Sequence, residues 1–208
     1  MSKMQLAADP KIQVICADPS ALGLFGLAMV TLVVSSQKLH FTHGLVMLLP
    51  WVIFLGAIPQ AIACIYDLKR NNIFGATAFG AYALFWFAIA FSWMLKLEMI
   101  GKNLQAEMDP QQLGVAFIGY LIFSVFMTIG ALNTNKVLFV IFLLIDLLFI
   151  GLVLNTFSIL PLLAYKLAAY SELLISLFSF YASAGVVLNT HLKRIVLPLG
   201  TPFITVPH

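Results

Sequence analysis

From Asn72 to Met94 the chain carries no charged side chain. A run of about 20 apolar residues is what a bilayer core requires of a helix. Its composition is nevertheless unusual for a plain lipid-facing span: Thr77 and Tyr82 are polar, and Gly75 and Gly80 are small. At 3.6 residues per turn, Gly75, Phe79, Tyr82 and Trp86 fall on one helical face. That face offers flat backbone, then an aromatic hydroxyl, then an indole N–H, groups suited to meet something other than lipid tails. Interfacial anchoring by Tyr and Trp, and small residues that let helices approach, would explain the same pattern without a ligand.

The rest of the chain points the same way. Of 208 residues, 62% are hydrophobic and 9% charged, with a mean hydropathy of +1.04. Soluble domains carry about 25% charged residues, so too few remain here to cover a water-exposed surface. The expectation is one all-α integral membrane domain. Cys16 and Cys64 are the only cysteines, too few for a disulfide framework or a Cys-rich metal site. The net charge of +3 is small and carries no nucleic-acid signal. Residues 1–20 are polar and contain prolines, so no cleavable signal peptide is expected and the first apolar run is a retained span.

Taken in order, residues 1–20 read as a cytoplasmic or interfacial lead, residues 21–190 as a six-helix transmembrane domain and residues 191–208 as a tail. Asp18 and Pro19 are suited to the N-cap and first position of the first helix, about Ala21 to Ser36. The second span, about Gly44 to Ile65, contains Pro50, Pro59 and Gln60. Proline inside a membrane helix frees carbonyls that protein or water must satisfy, and such broken helices line sites in many transporters; a kink that serves packing alone is equally compatible. Residues 66–71 read as a short basic loop, and residues 95–112 as the longest and most charged one. Further spans are expected at about Leu113 to Leu132, Lys136 to Leu154 and Leu162 to Asn189. Six spans put both termini on one side, with Lys3, Lys11, Lys69, Arg70, Lys136, Lys193 and Arg194, against Lys38, Lys96 and Lys102 on the other, with Lys166 embedded near it. This bias places both ends in the cytoplasm.

Asp146 and Glu172 fall inside spans, where an ionisable group is costly and a functional candidate by default. Two acids at similar depth can share or relay a proton; equally, each can be kept for packing, neutral or bonded to Lys166, a tyrosine or a carbonyl. His40 and His43 lack a third ligand for a metal. No Ser-His-Asp set, phosphate-binding loop or dinucleotide motif is present. The chain reads as a pore or carrier, not an enzyme.

Three blocks resemble the acetate uptake transporter family, which includes bacterial succinate–acetate permeases. Asp18-Pro19-Ser20-Ala21-Leu22-Gly23-Leu24 is similar to the family's Asn-Pro-Ala-Pro-Leu-Gly-Leu. Phe74 to Trp86 matches Phe-Gly-x-Thr-Ala-Phe-x-x-Tyr-x-x-Phe-Trp throughout. Leu188-Asn189, Arg194 and Val196-Leu197-Pro198-Leu199-Gly200 resemble its C-terminal block. The resemblance implies a six-helix protomer with its own pore, a homo-hexamer in the plasma (inner) membrane, and passage of acetate or related small carboxylates, with succinate a candidate among them, without a cofactor. It assigns a hydrophobic constriction to Leu27, Tyr82 and Ile145 and a family glutamine to Gln60. Asp18 departs from the motif's Asn, Leu27 from a phenylalanine, and Asp146 stands where a hydroxyl residue is usual.

On this basis, Thr77, Phe79, Trp86, Gln60 and Asp18 are expected along the substrate path, with Asp146 or Glu172 carrying a coupled proton in a symport; an uncoupled anion channel is the other possibility. A channel for a neutral solute such as ammonia or urea, or a membrane scaffold or sensor, are the competing classes.

Overall fold

The computed structural model describes residues 16–205. They form six helices long and apolar enough to cross a membrane: α1 (Ser20–Lys38), α2 (Leu48–Lys69), α3 (Ile73–Lys96), α4 (Pro110–Ala131), α5 (Lys136–Thr156) and α6 (Pro161–His191). No strand occurs among the described residues. Most of the expected lead, with Lys3 and Lys11, lies outside them.

The helix ends follow from local chemistry. The side chains of Asn72, Asp109 and Asn135 accept the N–H groups of Gly75, Gln111 and Leu138 at 3.1, 2.9 and 2.9 Å, satisfying donors that a helix start leaves orphaned. Asp18 does the same for Ser20 N–H at 2.9 Å. At the other ends, His40, Asn71, Glu98 and Ser158 adopt left-handed φ values of 58–62°. The next N–H in each case returns to the carbonyl five residues back, as Asn72 does to Asp67 at 2.9 Å. This closure ends a helix abruptly and makes the α2–α3 turn very short.

That turn corrects the reading of residues 66–71 as a loop. Helix α2 continues to Lys69, because nothing between Ile65 and Lys69 breaks it, and Asp67 is buried within the last turn, 1% exposed. The start of α2 is later than expected, at Leu48, since Gly44 takes φ +82° in the preceding turn. Between Pro50 and Pro59 the helix widens into a π turn, Val52–Ala57. Proline donates no N–H, and such widened turns recur at functional sites.

Each helix packs on its neighbours in the chain, most thinly at α3–α4, and α6 returns to pack along α1. Close approach is enforced by small residues: a Cβ at Gly26 would lie 2.5 Å from the Leu55 carbonyl, and one at Gly151 2.7 Å from Ala168 N. Ser176 and Ser183 on α6 donate to the carbonyls of Ala28 and Ala21 on α1, each at 2.8 Å; interhelical bonds of this kind are worth about 0.6–2 kcal/mol in a membrane. The tail then folds back beneath the bundle. Asn189 accepts from Val196 and Leu197 N–H and donates to the Leu197 carbonyl, while Val137 N–H donates to the Leu199 carbonyl at 3.1 Å.

Candidate transport pathway

A cavity of about 630 Å³ enters the bundle at the end where the α1, α3 and α5 helices begin. Asp18, Arg70, Asn72, Asn133, Thr134, Asn135 and Leu199 surround its mouth, and Leu24, Ala78, Phe79, Ile141 and Phe142 its apolar interior. It ends on Leu27, Tyr82 and Ile145. The same three residues border a second, much smaller pocket of about 20 Å³, completed by Thr31, Phe85, Trp86, Leu148, Phe149 and Ile175. Such a space is on the scale of a single water. Leu27, Tyr82 and Ile145 are 7%, 5% and 4% exposed, so they form a tight septum between the two spaces.

Tyr82 is fixed from behind. Its hydroxyl lies 3.1 Å from Ser124 Oγ on α4, and its ring meets Phe123 edge-on at 5.6 Å. The hydroxyl is therefore engaged in the wall, and the ring faces the septum. Above it, Gln60 is fully buried and its Nε2 donates to the Gly56 carbonyl at 2.7 Å, inside the π turn. Because a carbonyl can only accept, the atom left over is the acceptor Oε1, which has no partner among the described residues.

At the mouth, Arg70 Nη1 pairs with Asp18 Oδ1 at 3.1 Å. Partial burial pushes the Asp18 carboxyl up, but the Ser20 N–H and hydroxyl and the Arg70 guanidinium outweigh it and hold the group below its ordinary value. Asp67 sits deeper. Its Oδ1 accepts from Asn72 Nδ2 at 3.0 Å, while Oδ2 is buried without a partner among the described residues.

The structure distributes the remaining expected residues unevenly. Phe79 lines the large cavity and Trp86 the small pocket. Thr77 is exposed on the outer side of α3 and lines neither: two residues from both Gly75 and Phe79, it is turned about 200° from their face. Asp146 and Glu172 have separate partners, and neither lines the large cavity or the small pocket. Asp146 accepts from Thr128 on α4 at 2.7 Å, and Glu172 pairs with Lys38 at 2.9 Å. Lys166 is exposed and makes no bond to Glu172 among the described residues. Asp67 and Arg70 were missed because their charge read as loop, and Asn72 because it stood only as the start of an apolar run; Ser124 and Thr128 carried no signal beyond being hydroxyls in an apolar run.

With this geometry in hand, comparison with known proteins decides the family. A model of the GPR1/FUN34/yaaH family matches residues 2–201. The chain belongs to that family. Among its relatives, the succinate-acetate/proton symporter SatP of Escherichia coli K12 is 31% identical over 188 residues, covering 88% of this chain and 95% of the symporter. Acetate permease A of Emericella nidulans is 28% identical over 142 residues, 64% of this chain and 47% of the permease. A solved structure of the bacterial acetate channel SatP superposes with a TM-score of 0.82 at 28% identity, covering 89% of this chain and all of that one. The GPR1/FUN34/yaaH fold and the six-span membrane bundle described above are thus the same architecture.

Proposed function

We propose that this chain transports acetate and related small carboxylates through a path inside each protomer, gated where Leu27, Tyr82 and Ile145 separate the two cavities. That separation is the observation that carries the reading. A tight apolar septum excludes strongly hydrated ions and passes a small, weakly hydrated solute. The beginnings of α1, α3 and α5 at the mouth favour anions, since the free N–H groups and dipoles of helix starts attract negative charge. Phe79 and Trp86 line the path on either side of the septum, and Gln60 supplies a hydrogen-bonding group above it. We place both termini in the cytoplasm of a plasma (inner) membrane protein, because Lys69, Arg70, Lys136, Lys193 and Arg194 gather at the cavity-mouth end, and the assembly as a homo-hexamer.

Uptake of labelled acetate into proteoliposomes tests this, with empty liposomes correcting for acetic acid that crosses bare lipid. Uptake above the control supports the reading, and its response to an inward proton gradient separates symport from an anion channel. Passage of ammonia or urea with no acetate uptake would replace it by a neutral-solute channel.

A further inference from the structure

The acids expected to handle protons stand away from the cavity, whereas a different one stands in its wall. Asp67 is 1% exposed, lines the 630 Å³ cavity, and keeps Oδ2 without a partner among the described residues. The position is built around that carboxyl. Asn72 caps α3 with its Oδ1 and turns Nδ2 to Asp67 Oδ1. Gly75 leaves room for Oδ2: a Cβ there would run into the Asp67 carboxylate and lie 2.5 Å from Asn72 Nδ2. The charged and titratable groups around Asp67 are Asp18 at the start of α1, Cys64 on its own helix and Arg70 just past that helix's end. Asp18 and Arg70 pair with each other, which leaves the Asp67 charge largely unanswered.

The second unpartnered atom in the same cavity is Gln60 Oε1, also an acceptor. Two buried acceptors in one apolar chamber call for a donor. A carboxylate has none to give, but a carboxylic acid has one. The septum beyond offers an anion no free donor, because Leu27 and Ile145 are apolar and the Tyr82 hydroxyl is held by Ser124, and burying an unpaired charge is far costlier than neutralising it.

We propose that Asp67 is the group through which the substrate gains or surrenders its proton, so that it crosses the septum as the neutral acid. The inference rests on the carboxylate-transport reading above. Outward of the cell, the Oδ2–H bond of protonated Asp67 breaks and a new O–H forms on the substrate carboxylate, leaving Asp67 ionised and reloaded by a proton from cavity water. Inward, the acid arrives across the septum, donates to Gln60 Oε1, and gives its proton to ionised Asp67, which releases it to cavity water and is ionised again. One proton moves with each carboxylate, and no net charge crosses.

The test uses the full-length protein in proteoliposomes, with acetate uptake measured against pH and against an imposed potassium diffusion potential. The wild type is expected to respond to the proton gradient and to ignore the potential. Asp67→Asn retains a hydrogen-bonding amide but no exchangeable acid, and gradient-driven uptake above empty liposomes should fall about tenfold or more. Asn72→Ser keeps an N-cap acceptor and removes the donor to Asp67, so the midpoint of the pH dependence should move upward by about one unit. Should Asp67→Asn fail to fold, as judged by gel filtration and thermal melting, the Asn72→Ser midpoint decides. Wild-type uptake with variant pH profiles unchanged would overturn the Asp67 assignment and leave the transport reading standing; absence of wild-type uptake would remove the transport reading itself.

Discussion

Lys38 Nζ lies 2.9 Å from Glu172 Oε2, joining the last residue of α1 to a carboxylate that is 2% exposed inside α6. The pair ties two helices together at the end remote from the cavity mouth, and it occupies the acid that sequence reasoning offered as a proton carrier. Removing one member of a buried pair leaves the other charge uncompensated, at about 3–5 kcal/mol. Lys38→Met should therefore lower the unfolding midpoint in detergent markedly, and Lys38→Met with Glu172→Gln should recover most of the loss. A single variant as stable as the wild type would show the pair to be dispensable.

Tyr82 is held by ring packing as well as by its hydroxyl, and the two contributions separate. Tyr82→Phe keeps the septum's shape and loses only the bond to Ser124, costing about 0.5–1.5 kcal/mol of stability with acetate flux within a few-fold of wild type. Tyr82→Ala opens the septum, with a cavity cost on the order of 3–5 kcal/mol, and should admit larger carboxylates. Competition of labelled acetate uptake by a series of longer acids measures this; an unchanged size limit in Tyr82→Ala would move the gate elsewhere.

Gly26 faces backbone rather than a flexible side chain, with the Leu55 carbonyl 2.5 Å and Pro59 Cβ 2.9 Å from where a Cβ would stand. Helix α1 cannot shift without releasing α2 at its π turn. Gly26→Val should abolish recovery of folded protein by gel filtration, whereas Gly119→Ala, with open space around it, should be recovered like the wild type.

The Asp18–Arg70 pair predicts a small acid-side effect. Asp18 lies below its ordinary value when folded, so its contribution to stability is present above the unfolded value, about 3.9, and is lost as pH falls through the folded one. Arg70→Gln should reduce thermal stability slightly at about pH 6 and not at all at the acid end, because the pair is half-exposed and screened by solvent. A difference that grows on acidification would contradict the sign.

The fold was legible in the sequence because membrane helices announce themselves through unbroken apolar length, and all six spans emerged within a few residues at most ends. The face of α3 was legible for the same reason: Gly75, Phe79 and Tyr82 share a side by helical period alone, and Tyr82 and Phe79 do line the cavity. Thr77 was misplaced because polarity was weighed above that period. Asp67 was hidden by a different effect. A charged residue near a helix end looks like loop in one dimension, and only the short left-handed turn at Asn71, which swings Asn72 and Gly75 against it, turns that carboxyl into cavity wall. Likewise, Asp146 and Glu172 stood out by burial cost, but their partners Thr128 and Lys38 come from other helices, the neighbouring α4 and the distant α1.

In the proposed path the substrate passes Leu27 inside the protomer, and a single thiol placed at that position tests this most directly. The protein is Leu27→Cys in a chain with Cys16→Ser and Cys64→Ser, reconstituted and treated from the cavity-mouth side with a small methanethiosulfonate reagent. Labelling is expected to block acetate uptake, and acetate present during treatment is expected to slow the labelling. Full labelling of the introduced thiol with uptake unchanged would show that the substrate does not pass this point.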